Sequence, residues 1–191
     1  MSRSHANRGK GWEAVLDGIH RRYEAEGRAS VVNTFPKATP RRSRAGRVEG
    51  MFYARQTDGL GRPKAPPDYH VQHGPLSIWL DAKETTKQLV GGPVFPWANL
   101  KAGQAQFMSS HEAQAPTAVS ALLIRFVASR SRVVVPWPAV EERWRAWHLR
   151  WARGDRAKRG QGGLLLADAL EVGASFGNDW LTPLCELLED M

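Results

Sequence analysis

The chain has 191 residues, of which 42% are hydrophobic and eight are tryptophan, so it can bury a core as one domain or as one domain with an appendage. No apolar run approaches the roughly 20 residues that a membrane span needs, and the basic start lacks the hydrophobic segment of a signal peptide. A single cysteine, Cys185, leaves no internal disulfide, which is typical of a reducing compartment. We therefore expect a cytoplasmic protein with no membrane partner.

Positive charge is concentrated in particular stretches of the chain. Lys and Arg number 27 against 19 Asp and Glu, a net charge of +8 that favours a polyanionic partner such as nucleic acid. One basic run spans residues 37–47 and contains no acid, and a second spans residues 143–159. Either run alone is also typical of a solvated surface. Together with the motif described below, they favour contacts with phosphates.

The first part of the chain alternates between helical and strand-like patterns. Residues 1–10 are basic and are predicted to be a flexible N-terminus. In residues 11–27 apolar side chains recur at three- and four-residue steps, which predicts an amphipathic helix ending at a glycine. Residues 30–35 and 48–54 are strand-like in composition, and the prolines after the first of them are predicted to interrupt it. A loop rich in Gly and Pro is predicted for residues 58–67.

Two carboxylates and a lysine stand out in residues 67–86. Asp68 lies in a Pro-Asp step, and Asp81-Ala82-Lys83 ends an apolar run. Alternate side chains of a strand share a face, so Asp81 and Lys83 are predicted to point the same way. A hairpin that returns Asp68 beside Asp81 would place both carboxylates and the ammonium at one sheet edge. Converging carboxylates suit Mg²⁺, and a nearby lysine can stabilise charge on a phosphate.

These residues match the nuclease signature PD-(D/E)xK, and the sequence around them resembles the RecU-type Holliday junction resolvases over residues 7–127. The nuclease signature alone occurs by chance in many chains, and its agreement with four flanking segments favours the resolvase interpretation. The matching segments are Asn7-Arg8-Gly9 before a helix with Glu13, Asp68-Tyr69, Ala82-Lys83-Glu84-Thr85 after an apolar strand, and Phe95-Pro96 before a helix with Gln104.

The resemblance implies a restriction-endonuclease-like α/β fold with a mixed central sheet flanked by helices. It implies Mg²⁺, with Mn²⁺ as a substitute, held by Asp68, Asp81, Glu13 and the backbone carbonyl of Ala82. It also places Gln104 near the catalytic lysine. RecU-type sites usually carry glutamate where this chain has Asp81, which leaves the site geometry and the metal preference open. Outside the resemblance, Glu13 is typical of an exposed helix acid, and Gln104 of a side chain that hydrogen-bonds backbone.

The elements after the motif support an α/β class. Residues 86–93 are predicted to be a linker, and residues 97–114 a helix with Gln104 on an otherwise apolar stripe. Residues 119–128 and 132–137 are predicted strands, the first of them buried. Strand, helix and strand in this order indicate a mixed sheet, and residues 11–137 are predicted to form the nuclease core.

Candidate DNA contacts lie outside the nuclease signature. Residues 36–66 occupy the place of the stalk that enters the junction in RecU-like enzymes, although a surface loop has the same composition. Residues 138–191 are predicted to be a helical C-terminal extension, whose tryptophans either pack on the core or a second subunit, or stack on unpaired bases. The predicted DNA-binding residues are Arg8, Lys10, Lys37, Arg41, Arg42, Arg44 and Arg47.

The sequence thus predicts a metal-dependent endonuclease, a homodimer that resolves four-way DNA junctions by paired hydrolysis of phosphodiesters. Two alternatives stay open. The first is a restriction- or repair-type endonuclease that acts on duplex or flapped DNA. The second is a non-catalytic DNA-binding protein on the same fold.

Overall fold

The computed structural model describes residues 10–34, 39–42, 48–52, 67–154 and 162–191. Within these ranges the chain forms five α-helices and eleven strands. The helices are α1 (Lys10–Ala25), α2 (Ala102–Glu112), α3 (Pro138–Ala152), α4 (Leu166–Val172) and α5 (Leu181–Glu189). The strands are β1 (Ser30–Asn33), β2 (Thr39–Arg42), β3 (Val48–Phe52), β4 (Tyr69–His73), β5 (Leu76–Thr85), β6 (Gln88–Leu89), β7 (Gly92–Pro96), β8 (Ala118–Phe126), β9 (Ser131–Pro136), β10 (Gly163–Leu165) and β11 (Ala174–Ser175).

The largest sheet is mixed and has the strand order β1-β4-β5-β8-β9-β11. β5 and β8 run parallel, and every other neighbouring pair in this sheet is antiparallel. Two smaller sheets join β10, β7 and β6, and β2 with β3. The predicted α/β class with a mixed central sheet is confirmed. No helix in the described ranges is long and apolar enough to cross a membrane.

Helices cover both faces of the large sheet, because the central strand β8 has apolar side chains on both faces. Val119, Ala121 and Leu123 pack in one apolar cluster with side chains of α1 and α5. Leu122 and Ile124 pack in a second cluster with side chains of α2 and α3. Successive side chains of a strand point to opposite faces, so each face of β8 is buried. Each fully buried leucine or isoleucine stabilises the fold by about 2 kcal/mol.

The predicted hairpin is formed by β4 and β5. Gly74 and Pro75 make its two-residue turn, and Gly74 has a φ of 52°, which a glycine adopts at little steric cost. The register pairs Tyr69 with Leu80 and His70 with Trp79. Asp68, which directly precedes β4, therefore comes to lie beside Asp81, as the sequence predicts.

Two predictions along the middle of the chain need correction. Residues 86–93, predicted to be a linker, contain β6 and the start of β7. The helix predicted for residues 97–114 begins only at Ala102, after a 3₁₀ helix at Trp97–Asn99. β1 ends at Asn33, before the prolines predicted to interrupt it, and Pro40 lies in the separate strand β2, where it pairs with Met51. A proline is tolerated at a strand edge that donates no hydrogen bond.

Residues 138–191 are not wholly helical as predicted. β10 pairs with β7, and β11 adds an edge strand to the large sheet through Ala174 and Val134. Gly173 permits this approach, because a Cβ there would lie 2.4 Å from the carbonyl oxygen of Val134. On α3, Trp144 is buried and packs against Trp137, with ring centroids 6.0 Å apart. This tryptophan therefore belongs to the core, which was one of the two expectations for the tryptophans of this helix.

The segment before α5 is fastened to α1 by a hydrogen-bonded group around Tyr23. The Tyr23 hydroxyl donates to Asp179 Oδ1 at 2.6 Å and accepts from the backbone N–H groups of Trp180 and Leu181. Arg28 pairs with Asp179 at 3.0 Å. Burial alone would raise the pKa of Asp179, but the hydrogen bonds it accepts hold that pKa well below its usual range. The C-terminal segment and α1 are therefore held together by polar contacts as well as by packing.

His20 completes this connection on the buried side of α1. Its side chain is 4% exposed, and its Nε2 accepts a hydrogen bond from the indole N–H of Trp180 at 3.2 Å. Burial lowers the pKa of His20 to about 4, because the charged imidazolium would lose its water there. The folded protein therefore requires a neutral histidine at this position.

We expect His20→Gln to flatten the dependence of stability on pH. The unfolded chain protonates His20 near pH 6.5 and the folded chain only near pH 4. The free energy of unfolding therefore keeps its full value above pH 6.5. It falls by up to about 3 kcal/mol as the pH drops from 6.5 to about 4. Urea denaturation across the interval measures the effect, with His148→Gln on α3 as the control. Parallel pH profiles for the wild type and His20→Gln would contradict the prediction.

Candidate active site

Four polar side chains meet beside the β4–β5 hairpin, on the sheet face that α2 covers. Lys83 Nζ lies 2.6 Å from Asp81 Oδ2 and 3.9 Å from Asp68 Oδ2. Gln104, in the first turn of α2, donates from Nε2 to Asp81 Oδ1 at 2.6 Å. The structure thus brings together four of the predicted catalytic residues, from three separate segments of the chain.

Asp68 is held by backbone groups on both sides. Its Oδ2 accepts a hydrogen bond from the N–H of Ala82 at 2.9 Å. Its own carbonyl accepts from the N–H of Thr34 at 3.0 Å, and the Thr34 hydroxyl donates to the carbonyl of Pro67. The N–H and C=O of one strand residue point to the same side, so the Ala82 carbonyl also faces the side on which Asp68 lies. This orientation fits the ligand role predicted for that carbonyl.

Both carboxylates are buried, which changes their chemistry. Asp81 is 0% exposed and Asp68 is 7% exposed. Burial raises the pKa of each carboxyl group, to about 7 for Asp81, and the nearby Lys83 ammonium offsets only part of this rise. The charge of Asp68 further raises the pKa of Asp81. Lys83 is therefore the cation that compensates a pair of carboxylates withdrawn from water.

Asp81 Oδ2 and Lys83 form a buried ion pair. Asp81 Oδ2 is buried, and Lys83 Nζ lies 2.6 Å from it. Two opposite charges this close attract each other strongly whatever the direction of the N–H bond. The attraction between these two groups is therefore mainly electrostatic.

The donor set fits a hard divalent cation. Mg²⁺ is commonly held by one or two carboxylates together with water, and Asp68 and Asp81 supply two. Across the part of the chain that the structure describes, no group of three or more His, Cys, Asp or Glu side chains is placed to hold a metal ion. The buried Asp81 Oδ2 is an oxygen of the right chemistry. A cation bound here would compete with Lys83 for the same atoms.

Glu13 lies on α1, which packs on the sheet face opposite α2. Burial raises the pKa of the Tyr69 hydroxyl, and the charges of Asp17, Asp68 and Glu13 raise it further. Glu13 is thus within electrostatic reach of the residue that follows Asp68. Its role as a metal ligand stays a prediction.

The predicted DNA-binding residues fall at the margins of the described structure. Four of them, Arg8, Lys37, Arg44 and Arg47, lie outside the described residues. Of Lys10, Arg41 and Arg42 only the backbone is described, in α1 and β2. Their contacts with DNA stay predictions.

Lys101 is a residue at this site that was not predicted from the sequence. It directly precedes α2, and its charge lowers the pKa of both Asp68 and Asp81. Its backbone N–H donates to Gln104 Oε1 at 3.4 Å, which leaves the Gln104 amide N–H₂ directed at Asp81. The available signal was a basic residue just before the helix that carries Gln104.

Comparisons with known proteins do not assign a family. No protein-family model matches the sequence, and no curated protein matches it significantly. The resemblance to the RecU-type resolvases rests on the residues quoted from the sequence.

We expect Lys83→Met to destabilise the metal-free protein by about 3 kcal/mol, because it removes the cation that contacts two buried carboxylates. Asp81→Asn removes one of these charges, so the double variant should recover most of the loss. Urea denaturation in EDTA measures the free energy of unfolding of all four proteins. Lys87→Met, at an exposed position just after β5, is the matched control. Equal losses for Lys83→Met and Lys87→Met would contradict the prediction.

Proposed function

We propose that the protein is a metal-dependent endonuclease that hydrolyses phosphodiesters in branched DNA, acting on four-way junctions as a homodimer. One observation carries this proposal: Asp68, Asp81 and Lys83, which match the PD-(D/E)xK signature, are in mutual contact, with Gln104 bonded to Asp81. A mixed sheet with helices on both faces supports a restriction-endonuclease-like fold.

Asp68 and Asp81 would hold Mg²⁺ or Mn²⁺, with the Ala82 carbonyl as a further ligand; the ligand role of Glu13 rests on the resemblance alone. A bound divalent cation supplies Lewis acidity towards water and the scissile phosphate. The N–H of Ala82 fixes one carboxylate and the amide of Gln104 fixes the other, so the oxygen atoms are oriented before any ligand arrives. Preorganisation of this kind avoids rearrangement during the reaction.

Lys83 would change partners during catalysis. In this structure its ammonium compensates the carboxylates, and a divalent cation held by Asp68 and Asp81 would supply that positive charge instead. The ammonium then becomes available to the phosphate oxygens, on which negative charge develops as the phosphodiester is attacked. A cation poised beside the reacting phosphate is the contribution that the nuclease signature requires of this lysine.

Resolution of a four-way junction requires two cuts related by two-fold symmetry. A C₂ homodimer supplies two such sites most simply. Recognition would rest mainly on phosphate contacts by the basic residues of the chain, so the complex should depend on DNA shape and on salt. We assign the stretch of residues 36–66 to this contact because of its charge.

The test is cleavage of a labelled synthetic four-way junction, beside a linear duplex of the same sequence, with Mg²⁺, Mn²⁺ or EDTA. The wild type should make paired, symmetric nicks in the junction only when metal is present. Asp81→Asn should slow cleavage by about two orders of magnitude or more while binding the junction normally. Asp190→Asn, at an exposed position after α5, is the control.

Each other outcome of this experiment would change the proposed site or the proposed function. If Asp81→Asn cuts as fast as the wild type, the site assignment is wrong. Metal-dependent cutting of both substrates would indicate a restriction- or repair-type endonuclease. Tight binding of the junction without cutting in any metal would indicate a non-catalytic DNA-binding protein.

We expect replacement of Arg41, Arg42 and Arg44 by alanine to weaken junction binding and to flatten its salt dependence. The slope of log affinity against log salt should fall by about one for each phosphate that the protein no longer neutralises. Fluorescence anisotropy over a salt series measures the slope, and Arg21→Ala, at an exposed position of α1, is the control. An unchanged slope would mean that the DNA lies elsewhere on the protein.

A further inference from the structure

The same faces of the hairpin and of α2 that carry the candidate active site also carry side chains beyond it, towards the turn of the hairpin. On the hairpin face that lies on the α2 side of the sheet, His70 pairs with Trp79, and continuing the same register pairs Asp68 with Asp81. Neighbouring same-face positions of a strand are about 7 Å apart. A single nucleotide can span this distance.

α2 follows the same order. Gln104 contacts Asp81, and Phe107, one turn later, contacts Trp79. One more turn along, His111 Nε2 lies 2.9 Å from the carbonyl of Ser77. The helix and the hairpin therefore present matched positions: a polar group against the carboxylates, then an aromatic ring against the aromatic pair.

The three rings form a compact group. The His70 and Trp79 rings are stacked, with centroids 4.7 Å apart and an interplanar angle of 29°. Phe107 meets Trp79 edge-on at 4.7 Å and 65°. His70 is held in place by Ser77, since its Nε2 lies 3.0 Å from the Ser77 hydroxyl. The orientation of the group is thus fixed from several sides.

Exposure separates this group from the aromatic residues of the core. Trp137 and Trp180 are completely buried, whereas His70, Trp79 and Phe107 are each partly exposed. Rings held at the surface beside a site that binds the DNA backbone are what proteins use to stack unpaired bases. Every base offers a π-face, so such stacking tolerates any sequence.

We propose that His70, Trp79 and Phe107 form a stacking platform for an unpaired nucleobase next to the scissile phosphate. This inference rests on the proposed function and specifies its substrate. The platform favours DNA in which the base beside the cut has left the duplex stack, as at a branch point, over continuous duplex. It thereby supplies shape selectivity at the active site itself.

The experiment measures binding to a four-way junction and to junctions that lack one base at each branch-flanking position in turn, with Ca²⁺ in place of Mg²⁺. Loss of the stacked base should weaken wild-type binding by about tenfold or more, because the base–aromatic stacking is lost. Trp79→Leu should weaken binding to the intact junction by a similar factor. It should show no further loss on the junction that lacks that base.

Phe107→Leu is the second variant, and urea denaturation establishes that both variants fold. Trp147→Leu, a partly buried tryptophan on α3, is the matched control. Losses from Trp79→Leu and from base removal that simply multiply would overturn the platform, as would no loss at all. If removal of the base causes no further loss in Trp147→Leu instead, the base lies on α3, and the platform would also be overturned.

Cleavage by the wild type in Mg²⁺ separates this inference from the proposed function. Here coupling means that the variant and the removal of the base weaken binding by less together than the product of their separate effects. Cutting of the junction without such coupling at Trp79 or Phe107 would leave the nuclease proposal intact and overturn the platform. Coupling without cutting in any metal would support the platform on a protein that is not a nuclease. Failure to bind the junction would overturn both.

Discussion

The ion pair between Lys83 and Asp81 is the interaction on which the candidate site depends. Asp81 is fully buried, and a carboxylate withdrawn from water costs several kcal/mol unless a charge compensates it. Gln104 and the Ala82 N–H orient the carboxylates but carry no net charge, so the ammonium at 2.6 Å is what makes this burial tolerable. The same ammonium is the group proposed to act on phosphate, and it cannot serve both partners at once. In the proposed function, release of Lys83 from the carboxylates would therefore require another cation in its place.

Strand register keeps these groups on one face. A shift of one residue in β5 would turn Asp81 and Lys83 towards α1 and away from Gln104. The short turn at Gly74 sets the register with β4, and the parallel pairing of Asp81 with Leu122 sets it with β8. Because β8 is buried on both faces, it cannot slide without exposing apolar side chains. The chemistry of the site is therefore tied to the packing of the central strands.

The parts of the fold that the sequence predicted have local patterns. The hairpin was predictable from Asp68 and the apolar run before Asp81, and Gln104 stood out as a polar break in an apolar stripe. The short strands β6, β10 and β11 have no such pattern, because they exist through partners elsewhere in the chain, as Leu164 does with Phe95. The closeness of Lys101 to the carboxylates was hidden for a related reason. It depends on where α2 begins, and the helix was predicted to start several residues too early.

The C-terminal segment also bears on the site, although it lies outside the part of the chain that resembles the resolvases. The indole N–H of Trp180 donates a hydrogen bond to His20 of α1. His20 packs edge-on against Tyr69, with ring centroids 4.6 Å apart. Tyr69 directly follows Asp68, and the charge of Glu13 raises the pKa of its hydroxyl. One buried aromatic group therefore joins the C-terminal segment, the helix that carries Glu13 and the strand that follows the first carboxylate. Since α1 is fixed from the C-terminal side, the position of Glu13 relative to Asp68 is set by residues far beyond the nuclease signature.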